Sequence, residues 1–246
     1  MSRPLIAIPA RFSQSASALR YRAVVTARAL SEAVLRAGGE PLTVHPWAPS
    51  GQAEPADVAE RLGFADGVLL PGGGDLAPSR YGAEVAHGEV YDVDGEQDGF
   101  DLAVAAWALS AGVPTLAICR GTQVVNVARG GTLEQHMQDP HRDVLLPVAV
   151  NDPALAAVLG TAPGGEGVEV SCYHHQRLER LGAGLAVAAT AGDGTVEAVT
   201  AGALPGWFLG VQWHPEDTAA TDPAQAALFD TLVAQAIRYR TVGSSR

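Results

Sequence analysis

The chain has 246 residues, 47% of them hydrophobic and 17% charged, which is ample material for a globular core. A formal net charge of −11 argues against nucleic acid or an anionic membrane as the main partner. Two cysteines make no disulfide framework, and no apolar run reaches the length of a signal-peptide core or a membrane span, so a cytoplasmic protein with one domain over residues 1–246 is expected.

Residues 5–8 (Leu-Ile-Ala-Ile) predict a strand ended by Pro9, followed by a small, polar loop over 11–17. Apolar residues at helical spacing predict a helix over 21–37, closed by Gly38 and Gly39. A second strand is expected over 41–45, a short helix over 56–62 and a third strand over 67–70. That strand runs into Pro71-Gly72-Gly73-Gly74-Asp75, whose glycines let backbone N–H groups approach a ligand; a flexible turn is the other reading. The stretch lacks the Lys-Ser/Thr of a phosphate-binding P-loop. Residues 76–96 read as a long loop, either disordered or a lid. Helical periodicity returns over 98–110.

The most informative stretch follows. Thr115 to Ile118 read as a short buried strand, and the pattern turns helical after Gly121 until Gly130-Gly131. Cys119 therefore lies at a strand-to-helix corner, which pushes its side chain out above the sheet and aims following N–H groups at the same spot. The helix end and Arg120 would favour a thiolate there, as a nucleophile requires; a buried structural cysteine is the alternative.

Beyond it, His136 and His141 stand five apart in a polar loop without a further ligand at metal spacing, so no zinc site is expected. The remainder is more β-like: strands are expected from 145–150, 168–171 and 185–189, with Gly192-Asp193-Gly194 turning into a hairpin partner over 196–199. A buried strand over 207–212 runs into Trp213-His214-Pro215-Glu216, and a closing helix spans 223–239 before a fraying tail over 241–246. His214 at a strand's carboxyl end can act as base for Cys119, with Glu216 two residues on accepting the imidazole N–H. Cys172, beside His174 and His175, reads as a packing thiol. Strands alternating with helices imply an α/β fold with a parallel sheet covered on both faces and a site at the strands' carboxyl ends.

Four ordered motifs carry a resemblance: Pro71-Gly72-Gly73-Gly74-Asp75, Ala117-Ile118-Cys119-Arg120-Gly121-Thr122-Gln123, Tyr173-His174-His175-Gln176 and Gly210-Val211-Gln212-Trp213-His214-Pro215-Glu216. Together they resemble the class I glutamine amidotransferase-like superfamily. The His-His-Gln stretch and residues 126–133 narrow this to the γ-glutamyl-γ-aminobutyrate hydrolase family of peptidase C26 type. The resemblance implies a flavodoxin-like fold: a central, mostly parallel sheet flanked by helices, with a β-rich C-terminal part. It implies cleavage of a γ-glutamyl amine, such as γ-glutamyl-GABA or a related polyamine-derived compound, through a γ-glutamyl thioester. Cys119, His214 and Glu216 would form the triad; amides of Gly73 or Gly74 and of Arg120 would hold the oxyanion; Gln123, Tyr173 and His174 would hold the glutamyl head. It implies neither metal nor organic cofactor, and a homodimer is compatible with it. One departure is Gln97-Asp98, where the family often has Arg-Asp. A glutaminase subunit feeding ammonia to a synthetase is the alternative enzyme, and a relative that has lost catalysis the non-enzymatic one; the chain ending just after the triad favours the free-standing hydrolase, and the intact triad argues against lost catalysis.

Overall fold

The computed structural model describes residues 2–17, 19–165 and 167–243. The chain opens with β1 (Leu5–Pro9), then β2 (Arg11–Ser13) and β3 (Ala23–Val25), which pair antiparallel as a small ribbon. The helix expected over 21–37 is thus confined to α1 (Arg28–Arg36). Val24 and Val25 are β-branched, and their pairing with Phe12 and Arg11 outweighs a helical spacing that nothing else supports. Next come β4 (Glu40–Val44), α2 (Pro55–Leu62) and β5 (Gly67–Leu70). The segment read as a disordered loop or lid folds back on the glycine stretch, with the Asp75 amide donating to the Tyr91 carbonyl at 3.1 Å.

α3 (Gly95–Ala111) starts at Asp94, whose carboxylate accepts from the amides of Glu96 and Gln97, and ends at Gly112 in the left-handed region. It leads to β6 (Thr115–Ile118), α4 (Arg120–Ala128), β7 (Thr132–Glu134) and β8 (His141–Val150). α5 (Pro153–Leu159) is a helix that apolar periodicity did not reveal, although its cap signals are clear: Asp152 accepts from the Leu155 amide, proline holds the first position and Gly160 closes it. The last third contains β9 (Val168–His174), β10 (Arg177–Arg180), β11 (Ala186–Ala191), β12 (Val196–Thr200) and β13 (Phe208–Val211). It closes with α6 (Pro223–Gly243), which carries the helix through the first residues of the tail expected to fray; residues 244–246 lie outside the described ones.

Nine strands form one sheet in the order β4-β1-β5-β6-β13-β12-β11-β8-β9. β4, β1, β5, β6 and β13 run parallel, and from β13 outward each neighbour is antiparallel. The parallel half ends in the Cys119 corner, while the antiparallel half is the β-rich C-terminal part. α1, α5 and α6 supply the apolar side chains of one face, and α2, α3 and α4 those of the other. β6 is buried along its length with Leu116 and Ile118 on the first face and Ala117 on the second, as a doubly covered strand requires. Among the described residues no helix is long and apolar enough to cross a membrane.

Candidate active site

β6 delivers Cys119 to the carboxyl edge of the parallel half, and α4 starts at the next residue. Cys119 has φ 50° and ψ −110°, a conformation that costs a non-glycine residue about 1–3 kcal/mol and persists only where surroundings over-determine it. They do so here. The Cys119 amide donates to the Val211 carbonyl of β13 at 2.7 Å, and the Cys119 carbonyl accepts from the amides of Thr122 and Gln123. The Thr122 hydroxyl lies 3.1 Å from the Ala117 carbonyl and 2.8 Å from that of Val211. Gly121 lets the turn pass against β5, since a Cβ there would sit 2.2 Å from the Leu70 carbonyl oxygen.

The base arrives from β13. The His214 amide donates to the Ser171 carbonyl at 2.8 Å, and Pro215 starts a short 3₁₀ turn that swings Glu216 back beneath the ring. Nδ1 of His214 lies 2.9 Å from Glu216 Oε1, while Nε2 is buried without a hydrogen-bond partner of normal geometry. Ring and thiol share one wall: a Cβ on Gly72 would stand 2.9 Å from His214 Cε1 and 3.7 Å from Cys119 Cβ. Burial works against a charged imidazole, but the facing Cys119 and the Glu216 carboxylate outweigh it and push His214 up to about 11.

Glu216 thus both orients the ring and keeps its proton. Glu216→Gln is expected to lower kcat/KM by about 10²–10⁴-fold. A raised pKa means that the imidazolium is lost as pH rises through it, so removing the carboxylate should bring the alkaline limb of the pH–rate profile to lower pH. A full profile of the variant checks this, and an unmoved alkaline limb would deny Glu216 that role.

The amides of Gly73, Gly74 and Arg120, the residues expected to hold an oxyanion, meet no acceptor among the described residues. Gly74 has no room for a side chain, because a Cβ would lie 2.6 Å from the Asp92 carbonyl oxygen. The Arg120 guanidinium does not serve the thiol as the sequence suggested. It is buried between two carboxylates, Nη2 donating to Asp98 Oδ1 at 2.7 Å and Nη1 to Asp101 Oδ2. Its charge is balanced there, so what Arg120 offers Cys119 is its backbone amide at the start of α4. Arg11 also binds Asp101 and donates to the carbonyls of Gly72 and Pro71 at 2.8 and 2.9 Å, turning both toward itself. Gln97 completes the group by donating to Asp101 Oδ1 at 3.1 Å and accepting from the Phe12 amide. A cleft of about 390 Å³ opens beside it, lined by Arg11, Gly73, Gly74, Asp92 and Gln97 among others.

Of the expected substrate-binding residues, Gln123 is buried, its Nε2 lying 3.4 Å from the Gln176 carbonyl and 3.3 Å from Gln212 Oε1. Tyr173 is 49% exposed on β9. The His174 ring is committed elsewhere: Nδ1 lies 3.0 Å from the Gln176 carbonyl and Nε2 3.4 Å from Glu197, so its side chain is not free for a glutamyl head.

The peptidase C26 family model matches residues 4–216. This chain belongs to the peptidase C26 family. It is 36% identical over 222 residues to Rv2859c of Mycobacterium tuberculosis, named as a candidate glutamine amidotransferase, covering 85% of this chain and 66% of that protein, just under two thirds of its length. It is 32% identical over 218 residues to the γ-glutamyl-γ-aminobutyrate hydrolase PuuD of Escherichia coli K12, covering 82% of each. A crystal structure of a candidate GMP synthase subunit from Thermoplasma acidophilum shares the fold, with a TM-score of 0.67, 15% identity and 98% of each chain covered. The protein is thus a hydrolase- or amidotransferase-type enzyme of the class I glutamine amidotransferase-like superfamily.

Residues not singled out from the sequence also shape this peptidase C26 site. His175 Nε2 lies 3.0 Å from Asp75 Oδ2, and Tyr91 donates its amide to the same oxygen, so the His-His-Gln stretch anchors the glycine loop across 100 positions of chain. Burial pushes Asp75 up and His175 down, each away from its charged form. Burial and the charges of Asp75 and Cys119 push Tyr91 up as well.

Proposed function

We propose that this chain hydrolyses the γ-glutamyl amide bond of a γ-glutamyl amine, γ-glutamyl-GABA or a related polyamine-derived compound, to glutamate and the free amine. The observation that carries the reading is the strained Cys119 corner, which shares one wall with the Glu216-held His214 ring and is followed at once by the acceptor-free Arg120 amide. Relatives named γ-glutamyl-γ-aminobutyrate hydrolase, 32% identical over 82% of the chain, support the substrate class.

The chemistry follows from these positions. The Cys119 sulfur adds to the δ-carbonyl carbon, and the oxygen that gains the electron pair settles among the amides of Gly73, Gly74 and Arg120. His214 gives its Nε2 proton to the amine nitrogen as the C–N bond breaks, leaving a γ-glutamyl thioester. The neutral ring then takes a proton from water, which attacks the thioester carbon; glutamate leaves and the sulfur recovers its electron pair. Gln123 and Tyr173, with the backbone beside His174, are the groups assigned to the glutamyl head. Such a thiol works in a reducing compartment, which fits the cytoplasm.

The test is amine release from γ-glutamyl-GABA, γ-glutamyl-putrescine and glutamine by the purified chain. Turnover of a γ-glutamyl amine by the chain alone is the expected result. Ammonia release from glutamine only after a synthetase partner is added would instead establish the glutaminase subunit, and inertness toward every compound with and without a partner would sink both readings.

A further inference from the structure

The antiparallel half of the sheet holds a second cluster of chemically active side chains. His141 begins β8, Cys172 and His174 are alternate residues on one face of β9, and Glu197 lies on β12. One ligand atom from each, a ring nitrogen from either histidine, the Cys172 sulfur and a Glu197 oxygen, lies within 4.8 Å of all the others. The four residues are 9%, 1%, 4% and 0% exposed, and the triad uses none of them. Spacing within the sequence could not show this group, because the ligands that complete His141 come from two other strands.

Glu197 is the hub of its polar contacts, with His141 Nδ1 at 2.9 Å, His174 Nε2 at 3.4 Å and Cys172 Sγ at 4.0 Å. Nδ1 of His174 faces the Gln176 carbonyl at 3.0 Å, so that nitrogen carries the proton. Nε2 then points to the interior, where it is buried without a hydrogen-bond partner and 3.4 Å from Glu197 Oε1. Such a buried nitrogen–carboxylate pair needs a cation between its two atoms, a proton or a metal ion. His141 sits with Nδ1 2.9 Å from Glu197 Oε1 and Nε2 3.3 Å from Asp193 Oδ2. A carboxylate behind one imidazole and a carbonyl behind the other are the outer partners that fix ligating histidines.

We propose that His141 Nδ1, Cys172 Sγ, His174 Nε2 and the Glu197 carboxylate bind a divalent transition metal of the zinc type. Thiolate and imidazole select such an ion over calcium or magnesium, and four buried protein ligands leave no open position, which makes the site structural. Binding releases the Cys172 thiol proton to solvent as the sulfur takes up the metal. The site also has a mechanical purpose. β11 separates β12 from β8 but pairs with β8 only over Val148–Val150, so that ladder leaves the His141 end unheld. A metal there would tie the ends of β8, β9 and β12 together, and β9 is the strand whose Ser171 carbonyl receives the His214 amide. Of the pair His136 and His141, at which the sequence led to no zinc being expected, this set includes only His141.

The protein's two cysteines make the test selective, since Cys119→Ala leaves Cys172 as the sole thiol. That chain, stripped of metal and titrated with Co²⁺, is expected to bind about one equivalent with sulfur-to-cobalt charge-transfer absorption and the intense visible bands of a tetrahedral site. Zn²⁺ should displace it and abolish the colour. Asp193, partly exposed in a turn, provides a variant that spares the ligands: Asp193→Asn in the same background should weaken Co²⁺ binding about 10–100-fold. Absence of the charge-transfer band in the Cys119→Ala chain overturns the proposal, leaving His141 as an imidazolium bridging Asp193 and Glu197. Binding unmoved by Asp193→Asn overturns the assignment of His141 Nδ1 as a ligand, and with it the site as drawn.

Discussion

Replacing Cys119 with alanine is expected to lower kcat/KM for the cleaved amide by about 10⁴-fold or more, because nucleophile and base act as one unit and neither retains much effect alone. The variant also gives access to the strain at the corner. Alanine keeps the Cβ and so keeps the cost of φ 50°, ψ −110°, whereas glycine is free of it. Cys119→Gly should therefore be as inactive as Cys119→Ala yet melt at a higher temperature. The released strain, about 1–3 kcal/mol, exceeds the roughly 0.5–1 kcal/mol that glycine loses through its larger unfolded-state entropy. Thermal unfolding of the two variants side by side reads the difference. Equal inactivity with a higher-melting glycine variant would show that stability is given up at this residue to present the sulfur. A glycine variant that melts lower would mean that the corner stores no strain.

The strand-to-helix corner at Cys119 was legible in the sequence for a physical reason. A buried strand, a cysteine, a glycine two residues on and a helix all lie within one short stretch, where local spacing determines local geometry. The same holds for His214 and Glu216, which a single proline turn brings together. What remained hidden depends on partners far along the chain. β2 and β3 are three residues each and exist because they pair with one another. Asp98 and Asp101 lie on a helix recognised by its apolar residues, and only packing of α3 against α4 shows that they neutralise Arg120. His174 and His175 are adjacent in sequence yet diverge in the fold: one ring turns to Glu197 and the other to Asp75, as successive residues leaving a strand do. The sequence motif set the two rings side by side, whereas the partners of each ring are visible only in the structure.

The second large effect is expected at the buried quartet of Arg11, Arg120, Asp98 and Asp101. Two guanidiniums and two carboxylates meet there, with the side chains of Asp98 and Asp101 fully buried, that of Arg120 nearly so, and Arg80 Nε at the edge 3.9 Å from Asp98 Oδ2. Asp101→Asn leaves both arginines with Asp98 as the remaining carboxylate of the quartet, and breaking one partner of such a group costs about 3–5 kcal/mol. Urea unfolding should show that loss as a lower midpoint with an unchanged slope. Arg120→Met is the complementary change, leaving two buried carboxylates beside Arg11. Combining it with Asp98→Asn restores a one-to-one pairing of Arg11 with Asp101, so the double variant should recover part of the stability that Arg120→Met loses, with a coupling of about 0.5–3 kcal/mol. Strict additivity would show that the four groups act independently. The quartet matters to catalysis because Arg11 holds the Pro71 and Gly72 carbonyls while Arg120 begins α4. One buried ionic knot thus fixes both sides of the proposed oxyanion site relative to each other, and a variant that loosens it should lose kcat even where Cys119 and His214 are untouched.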